Sequence, residues 1–191
     1  MLIYLLRHGE TLWNAERRYQ GLTDLPLSER GRSALRPAEL SPKRVYVSPL
    51  CRAVQTAAIL FPDVEQIAVP GFREMDFGTF EGRTAGEMEH DLAYRAWVEG
   101  GCTGRCPGGE DWAGFAKRTL TAFDGLMEDA QDPLVIVAHG GTQMAVLERY
   151  GRPSRPRWNW LCKNGGGFLL ECDGWRKKQE LTFLKEVYWG E

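Results

Sequence analysis

Apolar residues along this chain change their period several times. Leu2–Leu6 (LIYLL), Arg44–Ser48 (RVYVS) and Leu134–Ala138 (LVIVA) are short, nearly continuous apolar runs, as expected of strands covered on both faces. Between them the spacing turns helical: Cys51–Leu60, with Ala53, Ala57, Ile59 and Leu60, reads as a helix, and Trp112–Glu128 and Thr142–Tyr150 behave alike. Ser28 opens S-E-R-G-R-S-A-L-R, a short capped helix that Pro37 should end. Gly166–Cys172 and Gln179–Leu184 read as closing strands. Alternating strands and helices predict an α/β sandwich with a mostly parallel sheet. No repeat or linker divides the chain, so residues 1–191 are read as one domain. The pattern is weakest from Phe77 to Pro107, rich in glycine and mixed charge, with Trp97 and Trp112 nearby. We read residues 77–112 as an insertion folding over a site, a lid or cap.

Composition excludes more than it selects. With 191 residues, 43% hydrophobic and 26% charged, the chain has the make-up of an ordinary globular domain. A formal net charge of −2 gives no global attraction to nucleic acid or an anionic membrane, so any anion site must be a local arginine cluster. No apolar run approaches the roughly 18–20 residues that span a bilayer, and MLIYLL lacks a signal peptide's basic leader. A cytoplasmic location is therefore expected. Cys51, Cys102, Cys106, Cys162 and Cys172 form an odd, scattered set that suits free thiols in a reducing compartment. Cys102 and Cys106, with His90 upstream, lack the tighter four-ligand spacing of a zinc site.

In sheets of the expected kind, ligands bind beyond the carboxyl ends of the strands. Three such ends carry unusual chemistry. LIYLL leads to Arg7-His8-Gly9, RVYVS to Pro49 and Arg52, and LVIVA to His139-Gly140-Gly141. Arg52 falls in the first turn of its helix, where free N–H groups and the dipole favour an anion. Taken singly, a His-Arg pair can be structural, Arg52 a solvated helix residue and Glu74 a surface charge. Together they form a coherent phosphoryl-transfer set. Two guanidiniums hold phosphate by bidentate, charge-assisted bonds. A neutral imidazole attacks phosphorus, and a second histidine stabilises the equatorial oxygens. A carboxyl group protonates the leaving alkoxide and later takes a proton from water. Such chemistry calls for no metal and no cofactor, because the charge is already in the side chains.

R-H-G-E-T with W-N, then Y-Q-G-L-T-D-L-P-L-S-E-R-G, resembles the histidine phosphatase superfamily, in its phosphoglycerate-mutase-like branch. S-P-L-C-R-A-V-Q-T, R-E-M-D-F-G-T-F-E-G, P-G-G-E-D and V-A-H-G-G are similar to that branch's later motifs, in its order, from Leu2 to about Leu147. The resemblance implies a three-layer sandwich whose central sheet is flanked by helices. It implies His8 as nucleophile and Arg7, Arg52 and His139 around the phosphate, with His139 also steadying the transition state. Asn14 would bond a phosphate oxygen; Gln20-Gly21 and Gly140 would contact substrate. The superfamily's acid-phosphatase branch takes its proton from an aspartate directly after the late histidine. Gly140 stands there, so the resemblance assigns the acid to Glu74. Glu10 is given a structural role, and His90 a solvent-facing one.

Mutases of the branch that use 2,3-bisphosphoglycerate are longer after the acid motif, so hydrolysis of a small phosphorylated metabolite is the expected reaction. Phosphoglycerate mutase is the alternative, and a non-catalytic phosphate-binding scaffold the second. R-E-M-D-F-G-T-F-E-G resembles the acid motif of α-ribazole phosphatases, which suggests α-ribazole 5′-phosphate as a substrate. Trp13, Trp97 and Trp112 offer a stacking face for a base. No nucleic-acid or membrane partner is expected, and a homodimer is left open. Gln143-Met144 and the stretch Asn164–Phe168 depart from the family pattern.

Overall fold

In a computed structural model that describes residues 1–190, seven strands form one sheet in the order β3-β2-β4-β1-β6-β7-β5. They are β1 (Leu2–Arg7), β2 (Arg44–Val47), β3 (Glu65–Ala68), β4 (Leu134–Ala138), β5 (Gly151–Arg152), β6 (Gly166–Glu171) and β7 (Leu181–Tyr188). Only β6 runs against its neighbours. The helices are α1 (Leu12–Ala15), α2 (Glu29–Ser33), α3 (Cys51–Leu60), α4 (Leu92–Glu99), α5 (Trp112–Glu128) and α6 (Gly140–Tyr150).

The three-layer build follows from the strand pleat. Successive residues of β4 point to opposite faces, and all five are buried. Leu134, Ile136 and Ala138 join a core with Phe123, Val146 and Leu147 from α5 and α6. Val135 and Val137 pack on the other face with Ala53, Ala57 and Leu60 from α3. The expected mostly parallel sheet between helices is thus present.

Several expected boundaries shift. The helix after Ser28 ends at Ser33, with Ala34 as its C-cap, before Pro37 can act on it. The helix expected at Thr142 begins at Gly140, and β7 runs on to Tyr188. Strands β3 and β5, of four and two residues, are additions to the sequence reading.

Residues 77–112 build a third apolar cluster. Phe80, Met88, Tyr94, Trp97 and Cys106 pack with Met75, Phe115 and Ala145. Asp91 caps α4 by accepting from the Ala93 and Tyr94 N–H groups, which turns Tyr94 and Trp97 inward.

Strand register decides where the chemistry lands. Arg7 pairs with Ala138 across β1 and β4, and His8 N–H donates to the Ala138 carbonyl at 3.0 Å. Val47 pairs with Val137 across β2 and β4, and Ser48 N–H donates to the Val137 carbonyl at 3.0 Å. His8, Ser48 and His139 therefore leave three adjacent parallel strands at one level.

Candidate active site

His8 and His139 face each other with ring centroids 5.2 Å apart and planes at 62°. The His8 backbone is fixed from both sides. Its carbonyl accepts from Gly165 N–H at 2.8 Å and Asn164 Nδ2 at 3.3 Å. The following Gly9 N–H donates to Thr56 Oγ1 at 2.9 Å. Nδ1 of His8 lies 2.7 Å from the Gly9 carbonyl. A carbonyl only accepts, so Nδ1 carries the proton and Nε2 keeps a free lone pair. Burial, then the charges of Arg52 and Arg7, hold the His8 pKa well below the ordinary 6.5. The ring is neutral near pH 7, with the Nε2 lone pair unprotonated.

Both arginines are anchored by carbonyls. Arg7 Nη1 donates to the Cys162 carbonyl at 2.8 Å. Arg52, fully buried, donates from Nη1 to the Thr23 carbonyl at 3.0 Å and from Nη2 to the Gly21 carbonyl at 2.7 Å. The Nε atoms of Arg7 and Arg52 and Nδ1 of His139 are buried without a hydrogen-bond partner. Such groups are costly unless an anion satisfies them, and together they suit phosphate oxygens.

His139 is fully buried, and its Nε2 lies 2.7 Å from Ser48 Oγ. Ser48 Oγ also accepts from Leu50 N–H at 3.3 Å. A Ser48 hydroxyl proton directed to Nε2 would put the ring proton on Nδ1, the unpartnered atom. Burial, then Arg52 and His8, keep the His139 pKa well below 6.5.

Glu74 is 8% exposed. Its carboxylate accepts from Met75 N–H at 2.9 Å and Gly141 N–H at 3.2 Å. Burial outweighs these donors and the arginines, raising the Glu74 pKa above 4.5 and favouring the protonated acid.

A cavity of about 270 Å³ opens over Arg7, Asn14, Gln20, Glu74 and Gly140. Its walls are Tyr19, Phe77, Trp97, Trp112, Met144, Trp158 and Leu161. A second mouth of about 310 Å³ shares Arg7, Asn14, Arg18 and Tyr19 with it and adds Arg17 and Asn164. Arg18 is tied to Glu16 at 2.6 Å and Glu87 at 2.7 Å.

The structure brings together Arg7, His8, Arg52, Glu74 and His139, with Asn14, Gln20 and Gly140 at the cavity. Gly21 lies behind Arg52 instead, its carbonyl anchoring the guanidinium; a Cβ there would meet the Met75 carbonyl at 2.2 Å. The first turn of α3 also departs from the sequence reading. Its Cys51 N–H donates to Asp24 Oδ1 at 2.7 Å, so a carboxylate of this chain occupies that helix end. Trp13 packs over Gly82 and is absent from the cavity wall, where Trp158 stands with Trp97 and Trp112. Glu10 lies in a different cleft, 3.8 Å from Arg30, and His90 is 92% exposed. Sequence reasoning missed Ser48 and Thr56, both inside the quoted S-P-L-C-R-A-V-Q-T motif. It also missed Glu81, whose carboxylate holds the Leu22, Thr23 and Phe77 N–H groups and so shapes the loop that anchors Arg52. Among the described residues no three His, Cys, Asp or Glu side chains gather as a metal site, and the five cysteines are free. No helix there is long and apolar enough to cross a membrane.

Fold and site together define an α/β enzyme that handles phosphate esters. The family model of the histidine phosphatase superfamily (branch 1) matches residues 3–183. The chain belongs to that superfamily and is a phosphatase in class. It is 32% identical over 154 residues to a protein of Erwinia tasmaniensis named "Probable phosphoglycerate mutase GpmB", covering 76% of this chain and 72% of that one. It is 35% identical over 151 residues to a protein of the same name from Yersinia pestis, covering 72% and 69%. A phosphoglycerate mutase structure from Thermus thermophilus superposes with TM-score 0.74 at 27% identity, covering 98% of each chain. An Escherichia coli K-12 structure described as "a putative alpha-ribazole-5'-P phosphatase" gives TM-score 0.81 at 24% identity, covering 100% of this chain and 96% of that one. At that identity the last likeness speaks for the fold alone.

Proposed function

We propose that this protein is a phosphomonoesterase that hydrolyses a small phosphorylated metabolite through a phosphohistidine on His8. The observation that carries the reading is the His8 tautomer. With Nδ1 tied to the Gly9 carbonyl, Nε2 keeps its lone pair in the field of the Arg52 and Arg7 guanidiniums.

Nε2 attacks phosphorus in line, forming the N–P bond as the ester P–O bond breaks. Arg7, Arg52 and Nδ1 of His139 hold the equatorial oxygens, where preorganised donors stabilise the charge of the transition state. The Glu74 carboxyl gives its proton to the departing alkoxide. In the second half, the resulting carboxylate takes a proton from water as that water attacks phosphorus. The N–P bond breaks, inorganic phosphate leaves and His8 returns neutral.

The aromatic wall of Tyr19, Phe77, Trp97, Trp112 and Trp158 supports a leaving group with a planar ring system. Within that group α-ribazole 5′-phosphate is our candidate, supported by the acid motif and this wall. A mutase is the second reading, favoured by the names of the curated relatives and by Arg17 at the second mouth.

A panel of α-ribazole phosphate, phosphoserine, phosphoglycerates and sugar phosphates tests the reading, with wild type and His8→Ala side by side. Phosphate release by wild type alone, with label trapped on His8, is expected. Equal rates in the two proteins refute catalysis at His8. Phosphoglycerate interconversion primed by 2,3-bisphosphoglycerate that far outpaces phosphate release selects the mutase.

A further inference from the structure

The carboxyl group of Glu74 sits on a loop with little regular structure of its own, between the short 3-10 turn Pro70–Phe72 and the insertion. What fixes that loop is one ion pair outside the cavity. Arg118, on α5, donates from Nη1 to the Gly71 carbonyl at 3.0 Å and the Arg73 carbonyl at 2.7 Å. Its Nη2 donates to the Glu74 carbonyl at 2.8 Å. The same guanidinium grips Glu110 in a fork, Nε to Oε1 at 2.8 Å and Nη2 to Oε2 at 2.7 Å. Glu110 then holds the loop's other end. Its Oε2 accepts from Asp76 N–H at 3.0 Å, and its own N–H donates to the Asp76 carbonyl at 2.9 Å. Residues on both sides of Glu74 are thus clamped to one guanidinium–carboxylate unit.

Helix α5 governs the second mount of Glu74 as well. The Arg118 guanidinium lies over the Phe115 ring, 4.9 Å from its centroid. That ring abuts Gly141, where an added Cβ would come within 2.8 Å of Phe115 Cζ. Gly141 N–H is the donor to Glu74 Oε2. One helix therefore sets both the backbone that carries the acid and the amide that aims it.

We propose that Arg118 and Glu110 are positioning residues for proton transfer by Glu74. They touch neither the phosphate cup nor the cavity. Their action is to hold the acid's carboxyl within reach of the leaving oxygen. Bidentate Arg–carboxylate pairs suit this task because their planar geometry fixes direction as well as distance. The proposal rests on the phosphatase reading above.

The test uses leaving groups that differ in their need for a proton. 2-Phenylethyl phosphate releases an alkoxide that must be protonated, whereas 2,4-dinitrophenyl phosphate releases a phenolate that need not be. Single-turnover rates with excess enzyme isolate the first half-reaction. For Arg118→Gln we expect a fall of roughly 10- to 100-fold on the alkyl ester, the scale of a misplaced general acid. The rate on the dinitrophenyl ester should stay within about threefold, and inorganic phosphate should inhibit as in wild type, a change under ~0.7 kcal/mol. Arg118→Lys, which keeps a donor near the carbonyls, should recover part of the loss. Glu110→Gln leaves Arg118 and its three carbonyl bonds in place. It should show the same selective loss, smaller in size, and it is the deciding variant should Arg118→Gln fail to fold. Equal losses on both esters overturn the proposal, since that is the signature of a general disturbance. An unchanged alkyl-ester rate overturns it too. A wild-type protein that forms no phosphoenzyme from the dinitrophenyl ester overturns instead the phosphatase reading.

Discussion

Gly141→Ala separates the acid from the rest of the machinery. A Cβ on Gly141 would lie 2.1 Å from Glu74 Oε1, 3.1 Å from its Cδ and 2.8 Å from Phe115 Cζ. Ordinary contact begins at 3.4 Å, so the oxygen must retreat by at least about 1.3 Å (3.4 less 2.1). The closest obstructing atom is the end of a flexible side chain, so the carboxyl moves first, while the buried Phe115 ring must also give by a few tenths of an ångström. Overpacking costs about 1–3 kcal/mol, while alanine gains up to ~1 kcal/mol over glycine inside a helix. A net loss of up to ~3 kcal/mol lowers the melting temperature of a domain this size by up to about 12 °C. Activity should suffer far more. Displacement of that size breaks the 2.9 Å bond from Met75 N–H to Oε1, disturbs the 3.2 Å bond from Gly141 N–H to Oε2 and removes an aligned acid, worth about 10²–10⁴ in rate. We expect kcat/KM for alkyl phosphates to fall about 10²–10³-fold. The inhibition constant for inorganic phosphate should change less than about threefold, under ~0.7 kcal/mol. Steady-state kinetics, phosphate inhibition and a thermal melt on one preparation decide the matter. A folded variant keeping more than about a tenth of wild-type kcat/KM, a loss under ~1.4 kcal/mol, refutes the placement of the acid. Loss of phosphate inhibition would instead make the Gly141 amide part of the phosphate cup.

Four further outcomes follow from the same geometry. Ser48→Ala removes the partner of His139 Nε2 and frees the ring to place its proton on either nitrogen; kcat should fall by about tenfold or more, an effect of ~1.4 kcal/mol, and unchanged kcat would exclude Ser48 from setting that tautomer. Both histidines have folded pKa values well below 6.5, so the unfolded chain binds their protons first. Their contribution to stability is full above pH 6.5 and is lost as pH falls through the folded values, at about 1.4 kcal/mol per pH unit for each ring. Urea titrations from pH 7 to 5 should show this slope, and His139→Gln should flatten it. Glu74 has the opposite sign: its raised pKa makes the folded state favour the protonated form, an advantage complete below pH 4.5 and lost as pH rises through the folded value. Glu74→Gln should therefore be more stable than wild type near neutrality and lose that advantage in acid. Activity should persist in EDTA, since guanidiniums and imidazole supply the positive charge; loss restored by zinc or magnesium would overturn this.

The strand ends were legible because their signal is local. A doubly buried strand is a continuous apolar run, and Leu2–Leu6 and Leu134–Ala138 each stop at an arginine or histidine. Helices α3 and α5 were legible because ten and seventeen residues give the helical period room to show. Strands β3 and β5 and helix α1 are too short for any period. Register was not legible either. Nothing in RVYVS says that Ser48 will stand beside His139; the pairing of Val47 with Val137 says it. The same holds for charge partners. Glu81 and Glu110 read as ordinary acidic residues until folding sets one under the loop that anchors Arg52 and the other under the loop that carries Glu74. The stacking face was misjudged for a related reason. Tryptophans near a site in sequence resemble one another, and only the packing of Trp13 on Gly82 removes it from the wall.

The ionisation states of the cup depend on one another. The Arg7 and Arg52 guanidiniums favour a phosphate dianion, yet the same charges, added to burial, force His8 and His139 to be neutral. A site that bound phosphate through a cationic His8 would have no nucleophile. Phosphate then changes the balance. In the proposed mechanism its negative charge would offset the field of Arg7 and Arg52 and favour a positive charge on His139, whose Nδ1 is buried without a protein partner. His8 is held otherwise, since its Nδ1 proton is fixed on the Gly9 carbonyl and, in the proposed mechanism, its Nε2 is taken up by the bond to phosphorus. The two imidazoles, 5.2 Å apart in one electrostatic environment, are thus driven to different tasks by what holds the far nitrogen of each. For His8 that is a carbonyl, which only accepts. For His139 it is a serine hydroxyl, which donates to the neutral ring and turns to accept when the ring is charged.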